Sequence, residues 1–327
     1  MIAAPFLQSL QQNAPPRPPA PRWLRGYAWA VLGFMVLVIL WGAFVRISGS
    51  GAGCGAHWPL CNNELFPRHP RLTTIIEFTH RSMSGVLTAM VAVLAVSTFV
   101  CTQRGHRARS AVLWVVALLV TEAILGAVLV LGGYVDRDTR NMRAVMQCIH
   151  FTNTMSLVAV LALTAWWLQR PTLRDDSLAI RKGRGLVLGA VFVTLLAGAT
   201  GSVAALADTL FPSKTLTSAL HSDFAANAPL LIRMRWLHPA SAILSVILVG
   251  WLALRHRQRP AARSLLWLFA LQILLGVADV ILLAPTWLQV AHLLFADLYW
   301  IALVLFASSF WGTSSISTRR RLFSRQP

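Results

Sequence analysis

Eight apolar stretches, each about long enough to cross a bilayer, dominate this chain and leave little else it could fold into. They run at roughly 27–46, 78–101, 111–134, 146–168, 185–207, 237–254, 264–284 and 288–311. A membrane helix needs about 20 predominantly apolar residues. Only 12% of the 327 residues are charged, about half the share that covers a soluble domain. In lipid every backbone polar group must be satisfied within the protein, which selects helices. The expected fold is an all-α membrane protein with eight transmembrane helices.

The net charge is +18, from 29 Lys+Arg against 11 Asp+Glu. Such a balance suggests nucleic-acid binding only where the cations form a continuous face. Here they punctuate the apolar runs, so they act as topology signals. Nineteen of the 29 fall in the N-terminal arm, the loops after spans 2, 4 and 6, and the tail. The positive-inside rule then places both termini in the cytoplasm. Residues 1–22 are Pro-rich and read as a disordered cytoplasmic arm, with no apolar core and cleavage site of a removable signal. Residues 171–184 read as a cytoplasmic linker, and 312–327 as a basic cytoplasmic tail.

The chain repeats at a spacing of about 150 residues. Trp41-Gly42-Ala43 answers Ala197-Gly198-Ala199, and Leu125-Gly126 answers Leu275-Gly276. Gln147-x-x-His150 answers Gln289-x-x-His292, and His80 answers His238. Their common order predicts two pseudo-symmetric four-helix bundles, 23–170 and 185–311, related as parallel repeats.

Four of the nine histidines, His80, His150, His238 and His292, open spans 2, 4, 6 and 8 in or beside the first turn. Those spans run in the same direction, so the four imidazoles share one depth. Within each half two rings can face each other across a bundle, where cofactor sites are built. Two facing imidazoles complete the coordination of haem iron, the porphyrin supplying the rest. A single such histidine could equally hydrogen-bond a neighbour, and zinc is the weaker metal because few carboxylates or thiolates share that depth. The other five (His57, His69, His106, His221, His256) are expected to be solvated.

Glu77 lies three residues before His80, on the same helix face. A carboxylate there can relay protons beside a haem, or form a salt bridge at the interface. The matching residue of the second half is Arg235, which suggests one reactive and one electron-transferring site. Cys54 and Cys61 enclose a short Gly-rich loop that can close as a disulfide, either as a staple or as a redox pair. Glu122, Asp279 and Asp297 are intramembrane acids and candidates for function by position alone. Arg46, Arg81, Arg143 and Arg235 lie at a depth suited to haem propionates.

Together, G-A-F-V-R-I-S-G-S-G-A-G-C-x6-C after span 1, E-F-T-H-R opening span 2 and R-W-L-H-P opening span 6 resemble the haem A synthase family. The resemblance covers the chain beyond the arm. It implies an oxidoreductase of the bacterial-type plasma (inner) membrane that oxidises the C8 methyl of haem O to a formyl group for cytochrome oxidase biogenesis. It implies that His80 and His150 hold the substrate haem O, with Glu77 as catalytic carboxylate. His238 and His292 would hold haem b iron as cofactor. Cys54 and Cys61 match the family's first cysteine pair. The second pair, usual between spans 5 and 6, is missing from this sequence. The implied partners are haem O, a haem O synthase and a membrane electron donor that the residues do not name. A homo-oligomer is compatible with this reading. Two other classes compete: a bis-His cytochrome b transferring electrons without a substrate haem, and a transporter.

Overall fold

A computed structural model of the chain describes residues 19–170 and 184–310. Most of the expected arm, the linker and the basic tail lie outside the described residues. Ten helices occur among the described residues, with no strand. They are α1 (Arg22–Ile47), α2 (Leu72–Cys101), α3 (Arg107–Leu131), α4 (Asn141–Leu168), α5 (Arg184–Leu210), α6 (Leu216–Phe224), α7 (Leu230–Arg233), α8 (Leu237–Arg255), α9 (Pro260–Ile281) and α10 (Thr286–Ser308). Eight spans are long and apolar enough to cross a membrane, α7 and α8 together making one of them. The protein is a multi-pass membrane protein.

The helices outrun the apolar stretches at several ends. Helix α1 starts at Arg22, and the residue two before it, Ala20, is already buried and donates its N–H to the Leu168 carbonyl at 3.1 Å. The arm therefore ends before residue 22. Helix α2 starts at Leu72 and α4 at Asn141. Polar residues such as Glu77 and Arg143 do not stop a helix, because intrahelical hydrogen bonds continue through them. His80 and His150 consequently sit in the third turns of their helices, and only His238 lies in a first turn. The loop after α5 holds the short helix α6, unanticipated from hydropathy. Its start is marked by a capping box between Thr215 and Ser218.

Helices α1 to α4 close a ring of contacts, each packing on the next and α4 on α1. Helices α5, α8, α9 and α10 close a second ring in the same way. The rings meet along a seam of α1, α4, α5 and α10. The largest core cluster runs through this seam, with Leu24, Leu157, Leu161 and Leu303 fully buried. Trp267, Leu274, Phe192 and Ile247 point outward and stay exposed, as a lipid-facing surface requires. Trp300 on α10 donates its indole N–H to the Met155 carbonyl on α4 at 2.8 Å. Phe151 on α4 packs where Gly198 of α5 leaves room, since a Cβ there would lie 2.7 Å from the ring.

His106 is not solvated. It is buried as the N-cap of α3 and accepts the Ala108 N–H at 3.1 Å.

Gly198→Leu should separate α4 from α5. Overpacking of this kind costs about 1–3 kcal/mol, and thermal unfolding in detergent should show a clearly lowered midpoint.

Candidate functional site

The polar side chains collect near the end that carries the loop between α1 and α2. There Cys54 and Cys61 form a disulfide. The loop folds down onto the start of α2. Gly53 is obligatory in this contact, because a Cβ would lie 2.3 Å from the Thr73 carbonyl oxygen. Thr74 donates its hydroxyl to the Gly53 carbonyl at 2.7 Å.

Glu77 fastens this loop from below. It is 3% exposed. Its Oε2 accepts the Cys54 N–H at 2.8 Å, and its Oε1 accepts from Arg81, with Nε at 3.1 Å. Arg81 in turn donates to the carbonyls of His57 at 2.7 Å and Leu60 at 2.8 Å. Trp41 on α1 donates to the Ile76 carbonyl at 3.0 Å, which ties the neighbouring helix to the same turn. Glu77 and Arg81 are thus an ion pair one helical turn apart, and both grip the disulfide loop.

The four singled-out histidines line the interior just beyond. Three rings rest against glycines. A Cβ at Gly42 would lie 2.9 Å from His80 Cε1, one at Gly201 would lie 2.9 Å from His238 Cε1, and one at Gly276 would lie 3.1 Å from His292 Cε1. Of the glycines matched by the repeat, Gly42 and Gly276 serve this purpose. Gly198 receives Phe151 instead, and Gly201, one turn along α5, receives the histidine. Gly126 meets nothing within 4 Å.

His238 and His292 face each other with ring centroids 6.4 Å apart and planes at 82°. His238 Nδ1 lies 2.9 Å from the Ala197 carbonyl, which fixes the proton on Nδ1 and leaves Nε2 as the basic nitrogen. His292 Nε2 lies 3.1 Å from the Gln272 amide. In the first ring, His80 and His150 lie within each other's electrostatic reach. The Nδ1 atoms of His80, His150 and His292 are buried without a hydrogen-bond partner. Among the described residues no three His, Cys, Asp or Glu side chains cluster to hold a metal ion.

The arginines divide into two kinds. Arg81 is neutralised by Glu77. Arg235 is neutralised by Asp208 at 2.9 Å and Asp223 at 2.6 Å, with Ser222 and the Ala219 carbonyl completing its shell. Arg46 reaches across the seam to the Ala205 carbonyl at 2.6 Å, Thr209 at 2.5 Å and Gln289 at 3.2 Å. Arg143 is 3% exposed and donates to the carbonyls of Asp136 and Asp138. Arg46 and Arg143 thus meet neutral oxygens. In the same loop, burial raises the Asp138 carboxyl, but hydrogen bonds from Arg140 outweigh it and hold the group below its ordinary value.

Glu122, on α3, lies 3.6 Å from His150 Nδ1. Asp297 is fully buried with both carboxyl oxygens unpartnered, and Asp279 has one such oxygen. Gln272, Gly201, Asp208 and Asp223 carried no weight in the sequence analysis. A lone amide in an apolar run, one turn before Gly276, was the visible signal for Gln272.

Residues 25–304 match the family of cytochrome oxidase assembly proteins (COX15-CtaA). The chain belongs to that family. Among similar proteins, the Protoheme IX farnesyltransferase of Thermus thermophilus is 42% identical over 302 residues, covering 88% of this chain and 49% of that protein. The Heme A synthase of Alkalihalophilus pseudofirmus is 34% identical over 160 residues, covering 49% of this chain and 50% of that protein. The Heme A synthase of Geobacillus kaustophilus is 28% identical over 271 residues, covering 78% and 80%. The chain spans about half the length of the first curated relatives it matches. The family match reaches into all eight helical segments long and apolar enough to cross a membrane.

Arg81→Ala should leave Glu77 buried and unpaired, at a cost on the order of 3–5 kcal/mol. Glu77→Gln should cost less, because the amide oxygen can still accept the Cys54 N–H. Melting in detergent, with the rate of disulfide reduction as a second measure, should rank the two variants in that order.

Proposed function

We propose that this chain is a haem A synthase, oxidising the C8 methyl of haem O to a formyl group by successive hydroxylation and loss of water. The observation that carries the reading is the facing imidazole pair His238 and His292, with three of the four singled-out histidine rings seated against glycines that leave them space. Two imidazoles per site suit a metal whose remaining ligands come from a porphyrin. A separation of 6.4 Å between the His238 and His292 centroids leaves room for one metal with two bonds of about 2 Å. The family match and the relatives named Heme A synthase point the same way.

In this reading His80 and His150 hold haem O, and His238 and His292 hold haem b. Bound haem iron supplies the oxidising chemistry, which belongs to the cofactor rather than to side chains. The chain supplies position, charge and exclusion of water. The loop clamped by Glu77 and Arg81 covers the first site, and Glu77 stands one turn from His80 as the catalytic carboxylate. Arg46 and Arg143 are the stronger propionate contacts, because their hydrogen bonds go to neutral oxygens and not to a carboxylate. Arg81 and Arg235 already have theirs. Both termini face the cytoplasm of a bacterial-type cell, and the two rings are related as pseudo-symmetric repeats. Haem O synthase and a membrane electron donor are the partners this activity requires.

A bis-imidazole cytochrome b is the competing reading. The engagement of both Glu77 oxygens by Cys54 and Arg81 favours it, since those bonds alone account for the carboxylate.

Expressed beside a haem O synthase, the chain should yield extractable haem A, and Glu77→Ala should keep its haem yet make none. Haem b as the sole pigment would favour the cytochrome. Haem O formed in a host lacking its synthase would instead indicate farnesyl transfer, the activity in the name of the Thermus relative. His238→Ala should lose haem b; an unchanged haem b spectrum would refute that ligand.

A further inference from the structure

Glu122 enters neither the ligand set nor the loop clamp, yet it is the acid placed against an iron-ligand candidate. Its Oε1 lies 3.6 Å from His150 Nδ1, a charge-pair distance rather than a hydrogen bond. The carboxylate is held still. Asn153 donates to Oε2 at 2.6 Å, and the Thr154 hydroxyl reaches Oε1. Asn153 is itself fixed by Thr121 at 2.7 Å and by the Leu118 carbonyl at 3.0 Å.

The second ring carries the isostere. Glu122 stands four residues before Gly126, and Gln272 stands four before Gly276, the two glycines that the internal repeat equates. Gln272 also lies against the histidine of the neighbouring even-numbered span, its amide 3.1 Å from His292 Nε2. Corresponding chain positions therefore hold an acid that faces Nδ1 of His150 in one half and an amide that faces Nε2 of His292 in the other. His238 Nδ1 meets the carbonyl of Ala197, and Asp208 lies within electrostatic reach of that ring.

We propose that Glu122 is a positioning residue that strengthens His150 as an electron donor to iron, and that the Glu122/Gln272 difference sets the two haem sites at different potentials. This rests on His150 and His292 being iron ligands. A carboxylate behind a metal-bound imidazole orients the ring and raises its basicity. More electron density on iron favours the oxidised metal and lowers the reduction potential. A neutral amide does neither to the same degree. The half with Glu122 is then suited to oxidative chemistry, and the half with Gln272 to passing electrons.

Redox titration of the purified full-length protein, made in cells that produce haem O and followed by visible absorption, tests this. Glu122→Gln should raise the potential of the lower-potential haem by about a tenfold change in its reduction equilibrium, about 59 mV for one electron, and leave the other haem unmoved. Gln272→Glu should lower the second haem by a similar step. Potentials unchanged in both variants, or both haems moving equally in each, would overturn the proposal. If Glu122→Gln loses pigment, Gln272→Glu decides alone: a downward shift supports the proposal and no shift overturns it. The ligand reading is tested separately by His150→Ala and His292→Ala. Full haem retention in those variants removes the ligands, and this proposal with them. Loss of one haem from each, with potentials unmoved in the Glu122 and Gln272 variants, removes the proposal alone.

Discussion

A polar side chain inside a bilayer must find its partner within the protein, and this requirement organises the whole molecule. Lipid offers no hydrogen bonds. The chain responds by gathering many of its intramembrane polar groups near the disulfide end, while Asp297 and the Thr194–Ser245 pair lie elsewhere in the spans. Glu77 with Arg81, and Arg235 with Asp208 and Asp223, are complete within themselves. The imidazoles are not complete, and three keep a buried nitrogen without a partner.

The two helical rings solve the same packing problem with different charges. At the entrance to the even-numbered spans, one carries the Glu77–Arg81 pair and the other the Arg235 cluster. Behind the second histidine, one carries Glu122 and the other Gln272. Packing tolerates the Glu122/Gln272 exchange because those two side chains are similar in size, whereas electrostatics in a low-dielectric interior responds strongly to it. Arg46 joins the two systems, rooted in α1 but bonded to α5 and α10.

The helical class and the number of spans were legible because each rests on a local pattern: apolar length and composition. The helix starts were less legible, since hydropathy falls at the interface while the hydrogen-bonded helix continues past Glu77 and Arg143. The glycine correspondence failed at Gly198 for a related reason. Gly198 and Gly201 lie one turn apart on the same face of α5, and which of them meets His238 depends on the height of α8, which the broken α7–α8 entrance sets.

The sequence by itself determined that this chain is helical and carries eight segments long and apolar enough to cross a membrane. These follow from the free energy of apolar transfer and from helical periodicity, both properties of short segments. Only the tertiary structure decided which arginines are already neutralised, that Glu77 fastens the disulfide loop, and that Glu122 and Gln272 stand behind equivalent histidines. Those outcomes depend on which helix faces which, and contacts between residues tens of positions apart leave no periodic trace along the chain.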